Sequence, residues 1–277
     1  MPCINLGSDL KMALDPVMWA IYELHFEPDP WQADVLRSQS PRILLNCSRQ
    51  SGKSTITSIL ALHTAIFSPG SLVLLLSPTL RQSGELFRNV LRFYSQIDSP
   101  VPSEVESVLK LELSNGSRII SLPGKEQNVR GYAGVSLLIV DEAARVPDDL
   151  YYSIRPMLAV SHGRLVALST PWGKRGWWYQ SWTSEDPWER YEISASMCPR
   201  ISKQFLQEEH RALGEWWYTQ EYECKFMETE DQLFSSDLID KMLDPDVSPL
   251  FEELEVNSDE GQKVTDLLDE DIRTLEV

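Results

Sequence analysis

The sequence predicts an α/β fold, a mainly parallel central sheet flanked by helices, with a small C-terminal lid or linker subdomain attached. Three observations point there. Continuously apolar runs recur at RILLN (42–46), SLVLLL (71–76), VSLLIV (135–140) and RLVALS (164–169), each the length of a strand buried on both faces. Helical stretches separate them, and strands alternating with helices need right-handed crossovers, hence parallel pairing. A chain of 277 residues with 42% hydrophobic content can also bury one substantial core plus a smaller unit.

Taken in order, the first strand runs into the turn CSRQSGK and the helix STITSILALHTAIF. The second is followed by the helical TLRQSGELFRNVLRFYSQI, and the third by DDLYYSIRPMLAV. Between them LKLELSNGSRIISL alternates and turns at Asn115-Gly116, which reads as a hairpin inserted into the rhythm. Beyond residue 171 the pattern changes: WERYEISA reads as a strand and SKQFLQEEHRALGEWWYTQEYECKF as one or two helices. The expected division is therefore a core over residues 1–170, a lid or linker subdomain over 171–240 and an acidic tail over 241–277.

The formal charge of −17 is unevenly spread. Residues 228–277 carry 17 acidic and 3 basic side chains, which leaves a net charge of only −3 on residues 1–227. The acidity thus does not exclude a nucleic-acid partner for the folded part, and the tail reads as a solvated segment. Neither an apolar run of about 18 residues nor a basic-then-apolar leader is present, so no membrane partner and a cytoplasmic location are expected. The cysteines Cys3, Cys47, Cys198 and Cys224 are too widely separated for a zinc site and read as reduced thiols.

The chemistry concentrates in NCSRQSGKST (46–55), which matches the phosphate-loop pattern G-x-x-x-x-G-K-[ST] except that Cys47 replaces the first glycine. Its strand–loop–helix setting is the one the motif requires, and a P-loop NTPase binding ATP and Mg²⁺ is the expectation. Backbone N–H groups of Cys47, Ser48, Arg49, Gln50, Ser51, Gly52, Lys53, Ser54 and Thr55 would cradle phosphates, with Lys53 bridging them and Ser54 on the metal. The second half of such a site is SLLIVDEAA: Asp141 would hold Mg²⁺ through water, and Glu142 would orient or deprotonate the attacking water. An Asp-Glu pair also begins helices as an acidic cap, but its combination with the loop favours ATP hydrolysis. Upstream, Trp31 and Gln32 are placed to pack and pair the adenine. Ser169 and Thr170 end the VALST strand, where they can sense the γ-phosphate, and Arg130 lies on a glycine-flanked loop suited to a charge-stabilising finger.

In that order and spacing, WQ, SRQSGKS, SPTLRQSGELF, LLIVDEA and LSTPWG resemble the ATPase domain of the large terminase subunit of tailed bacteriophages, over roughly residues 20–230. The resemblance implies a subunit of a homo-oligomeric ring that moves double-stranded DNA into a procapsid, with a portal protein and a small terminase subunit as partners. It implies Gln32 as the adenine-motif glutamine, Ser169 and Thr170 as the coupling motif, and either Arg49 in cis or Arg130 from a neighbouring subunit as the finger. The second, nuclease domain of that family has no counterpart among the buried strands here. No nuclease activity is therefore expected, and a separate nuclease subunit is an option. For DNA contact, Arg81, Arg88, Lys174 and Arg175 lie near strand ends, while Trp177 and Trp178 read as packing residues. A helicase-like ATPase and a non-hydrolysing assembly protein are the alternative readings.

Overall fold

The computed structural model describes residues 6–97, 101–124, 131–228 and 242. The chain divides into two units, Met1–Glu230 and Asp231–Val277, and the elements below belong to the first. Helices α1 (Leu6–Leu14), α2 (Pro16–Leu24) and α3 (Pro30–Arg37) precede strand β1 (Arg42–Cys47) and helix α4 (Lys53–Phe67). Strand β2 (Leu72–Ser77), helix α5 (Leu80–Tyr94) and strands β3 (Ser103–Glu106), β4 (Lys110–Leu113) and β5 (Arg118–Pro123) follow. The chain continues through β6 (Leu137–Asp141), α6 (Asp148–Ile154), β7 (Arg164–Ser169), α7 (Gly176–Thr183), β8 (Glu189–Ile193) and α8 (Lys203–Glu221). Helix α8 is broken at Gly214, whose φ of 75° and ψ of 170° lie outside any helix.

All four apolar runs form strands of a single eight-stranded sheet, in the order β3-β4-β5-β2-β6-β7-β1-β8. From β5 to β8 every pairing is parallel, and only the β3–β4–β5 edge is antiparallel. The hairpin at Asn115-Gly116 is present, and β5 joins β2 in parallel, so it extends the sheet. Strand β8, from the region beyond residue 171, pairs with β1 and forms the opposite edge of the same sheet.

The strands are apolar throughout because alternate side chains enter two different cores. Ile43, Leu45, Val73, Leu75, Ile139, Val166 and Leu168 pack beneath α2 to α5, whereas Leu44, Leu74, Leu138, Val140, Leu165 and Ala167 pack against α6 and α7. Helix α4 is buried almost all round, since α2, α3 and α5 cover the side that the sheet does not. Its buried Thr57 and Ser58 hydroxyls are satisfied by carbonyls of the preceding turn.

On the other face, Trp177 and Trp178 are both 2% exposed, as the packing reading expects. Trp177 stacks on Tyr151 with ring centroids 3.8 Å apart, and its indole N–H donates to the Val146 carbonyl at 2.9 Å. Replacing Trp177 with Ala removes both contacts and leaves a large void. The expected loss is about 3–5 kcal/mol of stability, read as a lowered urea midpoint.

Candidate active site

The strand–loop–helix unit at β1 and α4 is shaped by two left-handed residues. Gln50 has φ 60° and Gly52 has φ 93°, while Cys47 stays within the regular strand opposite Ile193. The position where the phosphate-loop pattern has its first glycine therefore makes no positive-φ bend in this chain, and a side chain is accommodated there without strain. Cys47 is fully buried, and burial pushes its thiol up to about 12, so it stays an unreactive packing group. Gly52 is the residue the geometry cannot replace. A Cβ there would sit 2.7 Å from Nε2 of Gln32, in a backbone region that L side chains rarely adopt.

Around this loop the structure builds a set of braces. The Ser48 N–H donates to the Ile193 carbonyl at 2.9 Å, and the Asn46 amide to the Cys224 carbonyl at 2.9 Å. Arg49 pairs through Nε with the buried carboxylate of Glu221 at the end of α8. Gln32 uses both ends of its amide: Oε1 accepts from the Asp29 N–H at 2.9 Å, and Nε2 donates to the Ser51 carbonyl at 3.3 Å. Arg200 completes the brace with two bonds to Asp29, at 2.9 and 2.8 Å, and one to the Ser51 carbonyl at 3.0 Å.

The register of the sheet decides what faces the loop. Asn46 lies beside Ser169 in the β1–β7 pair, and Leu168 lies beside Asp141 in the β7–β6 pair. Strand β7 thus stands between the phosphate-loop strand and the acidic strand, and Ser169 and Thr170 end level with both. Loop and acid come together across a cleft of about 520 Å³ lined by Arg49, Gln50, Gly52, Lys53, Ser54, Thr55, Gln82, Glu142 and Arg145. Beside Glu142, Asp141 is 7% exposed, and its Oδ1 and the Ser169 hydroxyl find no partner among the described residues. Burial and the neighbouring Glu142 raise the Asp141 carboxyl to about 6, against the pull of Lys53. Unsatisfied oxygens of this kind beside a helix N-terminus suit a hydrated cation and phosphate oxygens, so the residues present fit Mg²⁺ and a nucleoside polyphosphate.

Glu142 itself adopts a left-handed conformation, φ 48° and ψ 44°, which costs a non-glycine residue about 1 kcal/mol or more. It caps the short turn Ala143–Arg145 and lines the cleft, with its carboxylate 3.9 Å from Nε of Arg145.

Of the residues the sequence singles out, the loop from Ser48 to Thr55, Asp141, Glu142, Ser169 and Thr170 converge on this one region. Trp31 is 7% exposed within the core below α3, and Gln32 is turned onto the loop backbone. Arg81 and Arg175 are exposed, Arg88 pairs with Glu85 and Lys174 with Glu228. Arg130 lies outside the described residues. Four residues of the site were missed in the sequence: Gln82, Arg145, Arg200 and Glu221. Only Arg145 carried a local signal, three positions after Glu142 on a turn, where side chains at that spacing meet.

A buried parallel strand ending in this loop, with an Asp-Glu pair two strands away and a hydroxyl-bearing strand between, defines a P-loop NTPase fold. The comparisons with known proteins narrow the class. Residues 44–241 match the family described as terminase large subunit, T4likevirus-type, N-terminal. The chain belongs to that family. Terminase large subunits of Thermus phage G20c and Thermus virus P23-45 are each 29% identical to it over 177 residues, which is 57% of this chain and 36% of theirs. The chain thus spans about a third of the length of these curated relatives. Among solved structures, the large terminase ATPase domain of Thermus phage P74-26 superposes with a TM-score of 0.66 at 23% identity, over 77% of this chain and 100% of that one. The HK97 large terminase gives 0.65 at 15% identity, over 77% and 55%. The large terminase of a thermophilic bacteriophage, solved in complex with ADP, gives 0.56 at 14%, over 78% and 53%. These likenesses carry the fold.

Two outcomes follow from the geometry. Gly52→Ala should lose about 1–3 kcal/mol of stability and weaken binding of a fluorescent ATP analogue at least about tenfold, since its Cβ displaces the Gln32 brace. A carboxyl raised to about 6 in the fold penalises folding once ionised. The penalty is absent below about pH 3, where both folded and unfolded chains hold the proton, and complete above about pH 7. In the presence of EDTA, Asp141→Asn should therefore stabilise the chain by about 2–3 kcal/mol at pH 8 and leave it unchanged at pH 3, by urea unfolding.

Proposed function

We propose that this chain is the ATP-hydrolysing motor subunit of a DNA-packaging machine, coupling Mg²⁺-dependent ATP hydrolysis to the movement of double-stranded DNA into a viral procapsid. The observation that carries this reading is the register that sets Ser169 and Thr170 between the phosphate loop and the Asp141–Glu142 pair. In this reading the loop serves as phosphate cradle, Asp141 as metal-binding acid, Glu142 as base, and Ser169 and Thr170 as polar sensor.

Lys53 and the loop N–H groups hold the β- and γ-phosphates, and the positive end of α4 adds to their field. Ser54 and Asp141 are the residues that would hold Mg²⁺, which when bound neutralises charge on the phosphate oxygens. Glu142 orients water toward the γ-phosphate and accepts its proton. The charge that develops on the phosphoryl group is stabilised by Arg49, which lines the cleft, or by Arg130 from a neighbouring subunit. Gln32, held against the Ser51 carbonyl, serves as the adenine-motif glutamine, with Trp31 packed behind it in the core rather than on the base. Ser169 and Thr170 pass the loss of the γ-phosphate to residues 171–240, which act as lid and linker.

Exposed Arg81 and Arg175, with Arg88 and Lys174, offer sequence-tolerant phosphate contacts to DNA. In this reading the subunits form a ring in the cytoplasm of the host, docked on a portal protein and served by a small terminase subunit. DNA cutting is assigned to a separate nuclease subunit or domain. Among the described residues, no helix is long and apolar enough to cross a membrane.

Glu142→Gln tests the assignment directly. Steady-state hydrolysis of Mg-ATP should fall at least about 100-fold while the affinity for a fluorescent ATP analogue stays within about threefold. Retention of most of the turnover would remove Glu142 as the base. Binding without hydrolysis in the wild type, with and without duplex DNA, would favour a nucleotide-binding assembly protein instead.

A further inference from the structure

We propose that Arg145 is a positioning residue that ties Glu142 to the segment following the coupling motif, so that the base and Trp172 move as one piece. The inference rests on Glu142 acting as the base and adds a residue to that machinery.

Arg145 faces the cleft and touches both sides of the link. Its Nε lies 3.9 Å from a Glu142 carboxylate oxygen. Its guanidinium sits 4.1 Å from the centroid of the Trp172 ring, within the range of a cation–π contact. Trp172 stands two residues after Thr170. The backbone fixes this geometry, because the Arg145 N–H donates to the Glu142 carbonyl at 2.8 Å and closes the turn.

Two further contacts join the same two segments. The Trp177 indole donates to the Val146 carbonyl at 2.9 Å, and the Trp177 backbone N–H donates to Asp148 Oδ1 at 2.8 Å. Gly176 permits the second approach: it has φ 73°, and a Cβ there would meet Asp148 Oδ1 at 3.2 Å. The turn after the acidic strand and the stretch after the coupling strand are therefore pinned at three points, and Arg145 is the one that reaches the base. Trp177 holds the turn in place, whereas Arg145 sets where the Glu142 carboxylate stands relative to Trp172. A shift of residues 171–173 changes the support of the Arg145 guanidinium and with it the aim of Glu142.

The test compares Arg145→Ala, Arg145→Lys, Trp172→Ala and Trp172→Phe with the wild type and Glu142→Gln, in the full chain. Turnover of Mg-ATP, binding of a fluorescent ATP analogue and urea unfolding are measured for each. Arg145→Ala should lower kcat about 10–100-fold with the affinity for the analogue held within about threefold. Trp172→Ala should lower kcat in the same way, and adding it to Arg145→Ala should cost little more. Lys at position 145 and Phe at position 172 should each restore part of the rate, since one keeps the charge and the other keeps a ring. Turnover in the wild type and its loss in Glu142→Gln establish the parent reading independently of Arg145. Given those two results, an Arg145→Ala kcat within about twofold of the wild type overturns the link. So does an affinity loss as large as the rate loss, which would make Arg145 a phosphate ligand, and so does a Trp172→Ala variant with an unchanged kcat.

Discussion

Everything at the cleft depends on the level at which three parallel strands end. Strand spacing is set by hydrogen bonding at about 4.8 Å, so β1 and β6, with β7 between them, hold their ends roughly twice that distance apart. A triphosphate with its cation and attacking water needs a gap of that order. Slipping β7 by one residue would turn Ser169 to the opposite face and put an apolar neighbour in its place. The two cores forbid that slip, because Val166 and Leu168 belong to one and Leu165 and Ala167 to the other. Packing on both sides of the sheet thus controls a polar arrangement at its edge.

The polar floor is where the fold gives up stability for function. Asp141 is buried beside Glu142 with an oxygen that no described residue satisfies, and the Ser169 hydroxyl shares the deficit. An unsatisfied buried polar group costs about 1–3 kcal/mol, a large fraction of what a domain of this size retains in reserve. Glu142 adds a left-handed backbone to the same region. Each of these costs is of the kind that a bound cation and phosphate oxygens offset, and the braces on the loop from Gln32, Arg200 and Glu221 keep the strained segment in place until then.

Much of the fold was legible because its strands are buried on both faces, which leaves an apolar run that no helix of ordinary amphipathicity mimics. The two edges were less legible for the opposite reason. Strand β3 reads SEVE with every residue exposed and carries no core pattern, while β8 reads as a strand in WERYEISA but, with only its last residue buried, does not declare its pairing with β1. The β-hairpin was recognised from its turn, but its place in the sheet depends on pairing with β2, which no local signal encodes. At the site, the loop and the acidic pair declare themselves by motif. Arg200 and Glu221 do not, since their partners Asp29 and Arg49 lie 171 and 172 residues away in sequence. Trp31 and Gln32 were picked out by position, and Gln32 proves to act first on the protein itself, as the clasp on Ser51.

The bonds between the phosphate loop and the last described stretch of chain have a mechanical consequence. Arg49 is held by Glu221, Asn46 by the Cys224 carbonyl and the Cys224 thiol by Ile193, the same residue that receives the Ser48 N–H. These short links gather on the N-terminal side of the loop, at Asn46, Ser48 and Arg49. Tension applied along the chain just beyond α8 would reach the phosphate loop and the neighbouring strand β8 together. Load on that segment and nucleotide on the loop are thereby coupled through Asn46, Ser48 and Arg49.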